Sequence, residues 1–345
     1  MCGSRYVDIP LRAELTDNNF VARRAGRRRL GVHSMGEAEM ALAKLSGDLQ
    51  RIIFSHLSNV LDPGAAVAFS SASSELRALT RAECQQLRAG YEAAAVLGHK
   101  IGKNGNSACK DKRLVDWLDR GAYTCKELRE AKTLHSFRKG LSSDDLALLG
   151  TLGSVLPALE KLVLCESAAG PDGMQRLADK LGAGALPAMT ALTISSTRLG
   201  DEGVPALAAA LGRGALPRLR SLGLANSDLT DAGLAAFAPT LRRLPKLQTL
   251  YLSANPLGDE GIAALISPPT SGLAKLRALF LNSTQVSDDG CAALASALGK
   301  GAMPALEILS LEDAAASAAA QATLRRAGAL LDQPAARAGC LVLME

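Results

Sequence analysis

Along the second half of the chain the hydrophobic positions fall into one recurring pattern. In "LQTLYLSANPLGDEGIAALI", residues 247–266, leucines stand at 247, 250, 252 and 257, and the polar Asn255 interrupts them. Alternation through 250–252 predicts a short strand with one face inward, and the apolar spacing after Asp259 predicts a helix. Equivalent strands open with "LPALEKLVL" at 156, "LPAMTALTI" at 186, "LPRLRSLGL" at 216, "LPKLQTLYL" at 244, "LAKLRALFL" at 273 and "MPALEILSL" at 303, so the spacings are 30, 30, 28, 29 and 30. Upstream, "LSSDDLALLGTLG" matches only the helical half of a unit, and the C-terminal "GCLVLME" matches only the strand half. Residues 141–345 therefore read as about six units framed by half-repeats. A lone unit cannot bury its leucine row, but a stack of units makes one continuous core.

Each unit reads LxxLxLxx[N/S/T]x[L/V/A], with an inward polar residue at Ser167, Thr197, Ser227, Asn255 or Thr284. A buried amide or hydroxyl there is predicted to bond turn backbone groups that would otherwise go unsatisfied. Asp201, Asp231, Asp259 and Asp288 each precede a glycine by two residues. They are predicted to cap the helices they open, by accepting from free N–H groups and meeting the positive end of the dipole. Recurring about 30 residues apart, once per unit, they read as caps and not as metal ligands.

This pattern resembles the leucine-rich-repeat family, in the long-repeat subtype of ribonuclease inhibitor and the Ran GTPase-activating protein, over about residues 141–343. The resemblance implies an α/β fold: a leucine-rich-repeat solenoid with a curved parallel sheet inside and helices outside. The terminal units depart from it, with Pro171 in place of the Asp and "EDAAASAAAQATLRRAGALL" lacking the Asp-x-Gly.

Outward strand positions form columns. One runs Val163, Thr193, Gly223, Tyr251, Phe280, Ser310, and the next Glu166, Ser196, Asn226, Ala254, Ser283, Asp313. Aromatics and arginine favour interface centres. The candidate partner-binding set on the concave face is thus Thr193, Arg220, Tyr251, Arg277, Phe280, Asn282 and Glu312. The other reading of the same residues is an ordinary solvent-facing strand surface.

The front of the chain has three parts. Residues 1–43 form a basic stretch with Arg23, Arg24, Arg27, Arg28 and Arg29, read either as a nuclear-import or phosphate-binding patch or as a solvated, disordered tail. Residues 44–96 are helical in pattern, and 97–140 form an irregular basic linker or cap. Within the helical part, "LSGDLQRIIFSHLSNVLDPGAAVAFSSASSELRAL", residues 45–79, resembles an F-box. The resemblance makes Leu45, Leu49, Ile52, Ile53, Phe54 and Leu57 the face that docks on a Skp-type linker protein of a cullin-RING ubiquitin ligase. Ser46 stands where that family has proline, and its later tryptophan is missing. A helix with Ile-Ile-Phe is also what any buried helix looks like.

Charge changes the picture little: residues 97–140 carry +6 and 141–345 carry −3, which does not describe a uniform nucleic-acid binder. The seven cysteines, without any CxxC, read as reduced thiols of a soluble cytoplasmic or nuclear protein. No apolar run is long enough to span a membrane. No GxSxG, HExxH or GxGxxG occurs, and all four histidines (His33, His56, His99, His135) lie before the repeats. His99, Cys109, Cys125 and His135 have spacings that match no zinc pattern. The expected protein is not an enzyme and needs no metal or cofactor. It is an interaction module: a ligase substrate receptor for an unknown protein or, in the alternative, a GTPase-activating or inhibitor-like regulator.

Overall fold

The computed structural model describes residues 45–102, 123–136, 140–165, 169–267 and 273–326. The basic stretch 1–43, Cys109, Glu166, Ser167 and "GCLVLME" lie outside them. The described residues form two compact units, one containing residues 45–57 and 65–84, the other 58–64 and everything from 85 onward.

The first unit is helical, as its pattern predicts. It holds α1 (Gly47–Leu57), α2 (Gly64–Ser71), most of which belongs to it, and α3 (Ser74–Leu79). Ser46 Oγ accepts from Leu49 N (3.4 Å), and Ser73 Oγ caps α3 by accepting from Leu76 N (3.1 Å). Phe54 and Phe69 meet with ring centroids 6.4 Å apart and, with Leu76, form the unit's small core. Thr80 closes the end by donating to Leu76 O (2.7 Å).

The second unit takes in residues 58–64 and most of α4 (Arg81–Gly102), and continues through α5 (Cys125–Glu130) into the repeats. Here the stretch read as a linker or cap adds a strand to the front of the sheet: β1 (Thr133–His135) pairs in parallel with β2 (Lys161–Cys165). The sheet thus starts before residue 141. Its three-residue strand carries too little periodicity to be read from sequence, because one buried leucine, Leu134, is its whole apolar signal. Gly98 explains how the front is closed. A Cβ there would lie 2.9 Å from Leu128 Cδ1 and nearer still to the Tyr123 carbonyl oxygen, so α4 lays bare backbone against α5 and the residue that leads into it.

The repeats follow in order: α6 (Ser143–Leu152), β2, α7 (Gly170–Lys180), β3 (Ala191–Ser195), α8 (Gly200–Gly212), β4 (Ser221–Gly223), α9 (Asp231–Arg243), β5 (Thr249–Tyr251), α10 (Asp259–Ile266), β6 (Ala278–Phe280), α11 (Asp288–Gly299), β7 (Ile308–Ser310) and α12 (Ala318–Arg326). The seven strands pair in sequence order, all parallel, as expected of a leucine-rich-repeat solenoid. Leu162, Leu192, Leu222, Leu250, Leu279 and Leu309 stand in one register row and are buried. Strands settle about 4.8 Å apart, whereas helices need about 8–10 Å, so the stack bends with the strands on its inner side.

At the front, Ser142 and Asp145 form a capping box on α6, and Lys100 of α4 donates to both Asp145 oxygens (2.8 and 2.7 Å). Burial pushes the Asp145 carboxyl up, but the bonds from Lys100 and Ser142 outweigh it and hold the carboxyl below its ordinary value. A depressed folded-state pKa stabilises above the unfolded value of about 4 and loses that stabilisation as pH falls through the folded value. Asp145→Asn is therefore expected to lower the melting temperature by about 4 °C at neutral pH. Thermal melts at successively lower pH should show that gap closing below about pH 4, and a gap unchanged in acid removes the ionic account.

Candidate protein-docking faces

Each strand hands over to a tight corner. Ser196, Asn226, Ala254, Ser283 and Asp313 occupy the same position in successive turns, all with φ between 49° and 56°. The left-handed region costs a non-glycine residue about 1 kcal/mol. Stacking offsets this, since the corner backbones bond in series: Ser196 N to Ala225 O, Asn226 N to Ser253 O, Ala254 N to Asn282 O and Ser283 N to Glu312 O, at 2.7–3.2 Å. These corners set the far rim of the inner face.

The inward polar row sits just behind them, buried as predicted. Asn255 accepts from Ser227 N (3.0 Å) and Leu229 N (3.1 Å), and donates to Leu224 O (2.7 Å) and Leu252 O (2.9 Å). Ser227 Oγ donates to Ile194 O (3.0 Å), and Thr284 Oγ1 to Leu281 O (2.7 Å). Thr197 departs from the expectation: its buried hydroxyl has no hydrogen-bond partner among the described residues.

The aspartates do something other than cap their own helices. Asp201 accepts from Thr230 N (2.9 Å), Asp231 from Gly258 N (2.7 Å), Asp259 from Ser287 N (2.8 Å) and Asp288 from Ser317 N (2.6 Å). Each therefore reaches one repeat forward and clamps the residue that precedes the next helix. Where the clamped residue carries a hydroxyl it supplies the cap instead: Thr230 Oγ1 accepts from Ala232 N (3.3 Å) and Ser287 Oγ from Asp289 N (3.2 Å), whereas Gly258 offers no side chain. Gly233, Gly261 and Gly290 leave room for the incoming carboxylate of the preceding repeat, whereas an added Cβ at Gly203 would meet Leu199. The dipole part of the expectation stands, since all four lie in a first helical turn.

The inner face itself rearranges the predicted partner-binding set. Tyr251 and Phe280 stack in parallel, centroids 4.6 Å apart and planes 5° apart. Phe280 is only 4% exposed, however, so it supports Tyr251 and cannot itself be a contact residue. Arg277 is held by Glu307 through a two-pronged pair (2.7–2.9 Å), and Asn282 Oδ1 is engaged by Glu312 N (3.1 Å). Thr193 leans over Gly223, where an added Cβ would meet its Cγ2 at 3.0 Å. Arg220, beside Thr190 and Gln248 in register, is exposed and makes no ion pair among the described residues. Tyr251 and Thr193 are half-buried, and Glu312 is exposed.

The F-box-like set also divides. Phe54 is 3% exposed and belongs to the core, while Leu45, Ile53 and Leu57 are half-buried. Leu49 (48%) and Ile52 (52%), three residues apart on α1, point outward, as does Val67 (46%) on α2. Sequence reasoning passed over Val67 as a contact because its helix is apolar almost throughout.

No helix among the described residues is long and apolar enough to cross a membrane, and no cluster there could hold a metal ion. Among the described residues Cys84, Cys125 and Cys291 carry reduced thiols, and burial pushes the Cys291 thiol up to about 11, with Asp288 and Asp259 adding to the rise. Such a thiol is inert at neutral pH.

A family profile described as "Leucine Rich repeat" matches residues 243–265, which run from the end of α9 through β5 into α10. Among solved structures, internalin C2 from Listeria monocytogenes is similar at 22% identity, covering 70% of this chain and 92% of its own, with a TM-score of 0.37. No curated protein matches the chain.

Proposed function

We propose that this protein is a substrate-receptor subunit of a cullin-RING ubiquitin ligase, acting in the cytoplasm or nucleus. In this reading α1–α3 dock on a Skp-type linker, and the inner face of the repeats holds the protein to be ubiquitinated. The chain makes no bonds itself; it supplies proximity. One observation carries the proposal. Of four large exposed hydrophobics among the described residues, Leu49, Ile52 and Val67 fall in the small helical unit, whose own core is already filled by Phe54, Phe69 and Leu76. Exposed apolar side chains gathered on a small unit point to a partner.

Co-purification with a Skp-type linker protein tests this. The full chain should retain the linker, and a Leu49→Asp/Ile52→Asp variant should lose it with an unchanged melting temperature, since both side chains are exposed. Phe54 is unsuitable for the purpose because a charge in that core would unfold the unit. A well-folded chain that binds no linker overturns the proposal. The alternative is a repeat-based enzyme regulator, favoured by the exposed Arg220, in no ion pair among the described residues, which a partner's active site could receive. That reading requires binding that depends on the repeats alone and survives the α1 substitutions.

A further inference from the structure

Charge is segregated across the central repeats. Between residues 204 and 287 the acids are Asp228, Asp231, Asp259 and Glu260, all where a strand has ended or a helix begins. The cations in the same span are Arg213, Arg218, Arg220, Arg242, Arg243, Lys246, Lys275 and Arg277, all where a helix ends or the next strand begins.

Several of these cations have structural work. Arg213 donates to Ala178 O (2.7 Å), Arg242 to Ala264 O (2.8 Å), and Arg277 pairs with Glu307. Arg243 ends α9, where the dipole favours a cation. No such reason covers Arg218, Arg220, Lys246 and Lys275. They lie in strand-entry loops, are exposed, and make no ion pair among the described residues. Arg218, Lys246 and Lys275 hold one position in three successive turns, two residues before Arg220, Gln248 and Arg277. The backbones of that second row are joined, Gln248 N to Arg220 O and Arg277 N to Gln248 O, both 2.7 Å. Turns about 4.8 Å apart put these cations within a Debye length of about 8 Å, so each raises the cost of its neighbours.

We propose that this basic edge of β4–β6 docks an acidic segment of a partner protein, a short run of Asp and Glu. Three turns span about 10 Å, which three or four residues of extended chain cover. A nucleic-acid backbone fits less well, because phosphates continuing past Arg277 would meet Glu307, the next residue of the same row. The inference rests on the repeats being a protein-interaction array and not on the ligase reading.

The test is fluorescence anisotropy of the full chain with labelled octaglutamate, an octaglutamine control and a single-stranded oligonucleotide of equal charge. Octaglutamate should bind at low salt and octaglutamine should not. Arg218→Ser/Arg220→Ser/Lys246→Ser/Lys275→Ser should weaken binding at least about tenfold, while Lys126→Ser/Lys180→Ser, which removes exposed cations elsewhere, should leave it within about twofold. Absence of octaglutamate binding, equal weakening by both variants, or tighter binding of the oligonucleotide overturns the proposal. Leu49→Asp/Ile52→Asp should bind the peptide normally, which separates this outcome from the fate of the ligase reading.

Discussion

Asn255→Ala is expected to cost about 4 kcal/mol and to lower the melting temperature of the full chain by about 10 °C. The side chain is 2% exposed and serves Ser227 N, Leu229 N, Leu224 O and Leu252 O at once. Alanine leaves all four without that partner, away from water. Each such loss costs about 1–3 kcal/mol, and the sum falls short of additive because the turn can relax. Asn255→Asp should be no milder, because it keeps the acceptors but removes both donors and buries a charge. Asn282→Ala is the control: one bond, from Glu312 N at 3.1 Å on a half-buried residue, is worth under about 1 kcal/mol. Thermal or urea melts decide the matter, and a cost for Asn255→Ala no larger than the control's removes the buried-amide account.

The second large effect is at a glycine. Gly261→Ala should destabilise by about 2–3 kcal/mol, although alanine is the better helix former by about 1 kcal/mol. A methyl there lands on the Asp231 carboxylate oxygen that receives Gly258 N, and 3.1 Å from Asp231 Cα. The carboxylate can swing away only by giving up the clamp; the backbone atom cannot yield without parting α9 from α10. Gly90→Ala makes the contrast, since its Cβ would meet only Val60 side-chain atoms at 3.3 Å or more. That change should be close to neutral. A double-mutant cycle with Asp231→Ala isolates the carboxylate contribution: the double variant should cost less than the two single costs added. Strict additivity would mean that the two residues do not meet.

The clamp also reaches the last described helix. Asp288 still holds Ser317, which accepts from Ala320 N (3.2 Å), so α12 starts as the others do. The segment that loses the Asp-x-Gly, however, carries no aspartate in its first turn to send forward. The front is closed differently, by α4, β1 and the Lys100–Asp145 pair.

What could be read from sequence follows from periodicity. The parallel order of β2–β7, the buried leucine rows and the buried Asn255 and Thr284 all reflect a spacing repeated in every unit, and local backbone geometry turns such a spacing into a face. The Asp-x-Gly pairs were visible too, but their purpose was not, because aspartate and glycine act on opposite neighbours across about 30 residues.

The contact surfaces needed the fold. Phe280 and Arg277 stand at outward register positions, yet one is buried beside Tyr251 and the other neutralised by Glu307. Phe54 and Ile52 are two positions apart on α1, and only packing against Phe69 decides which of them faces inward. Sequence alone determined that this chain stacks repeats, because stacking depends on residues at fixed spacing along one strand of chain. Only the tertiary structure decided which side chains remain for a partner, because exposure and charge pairing depend on neighbours that the chain brings back from a full repeat away.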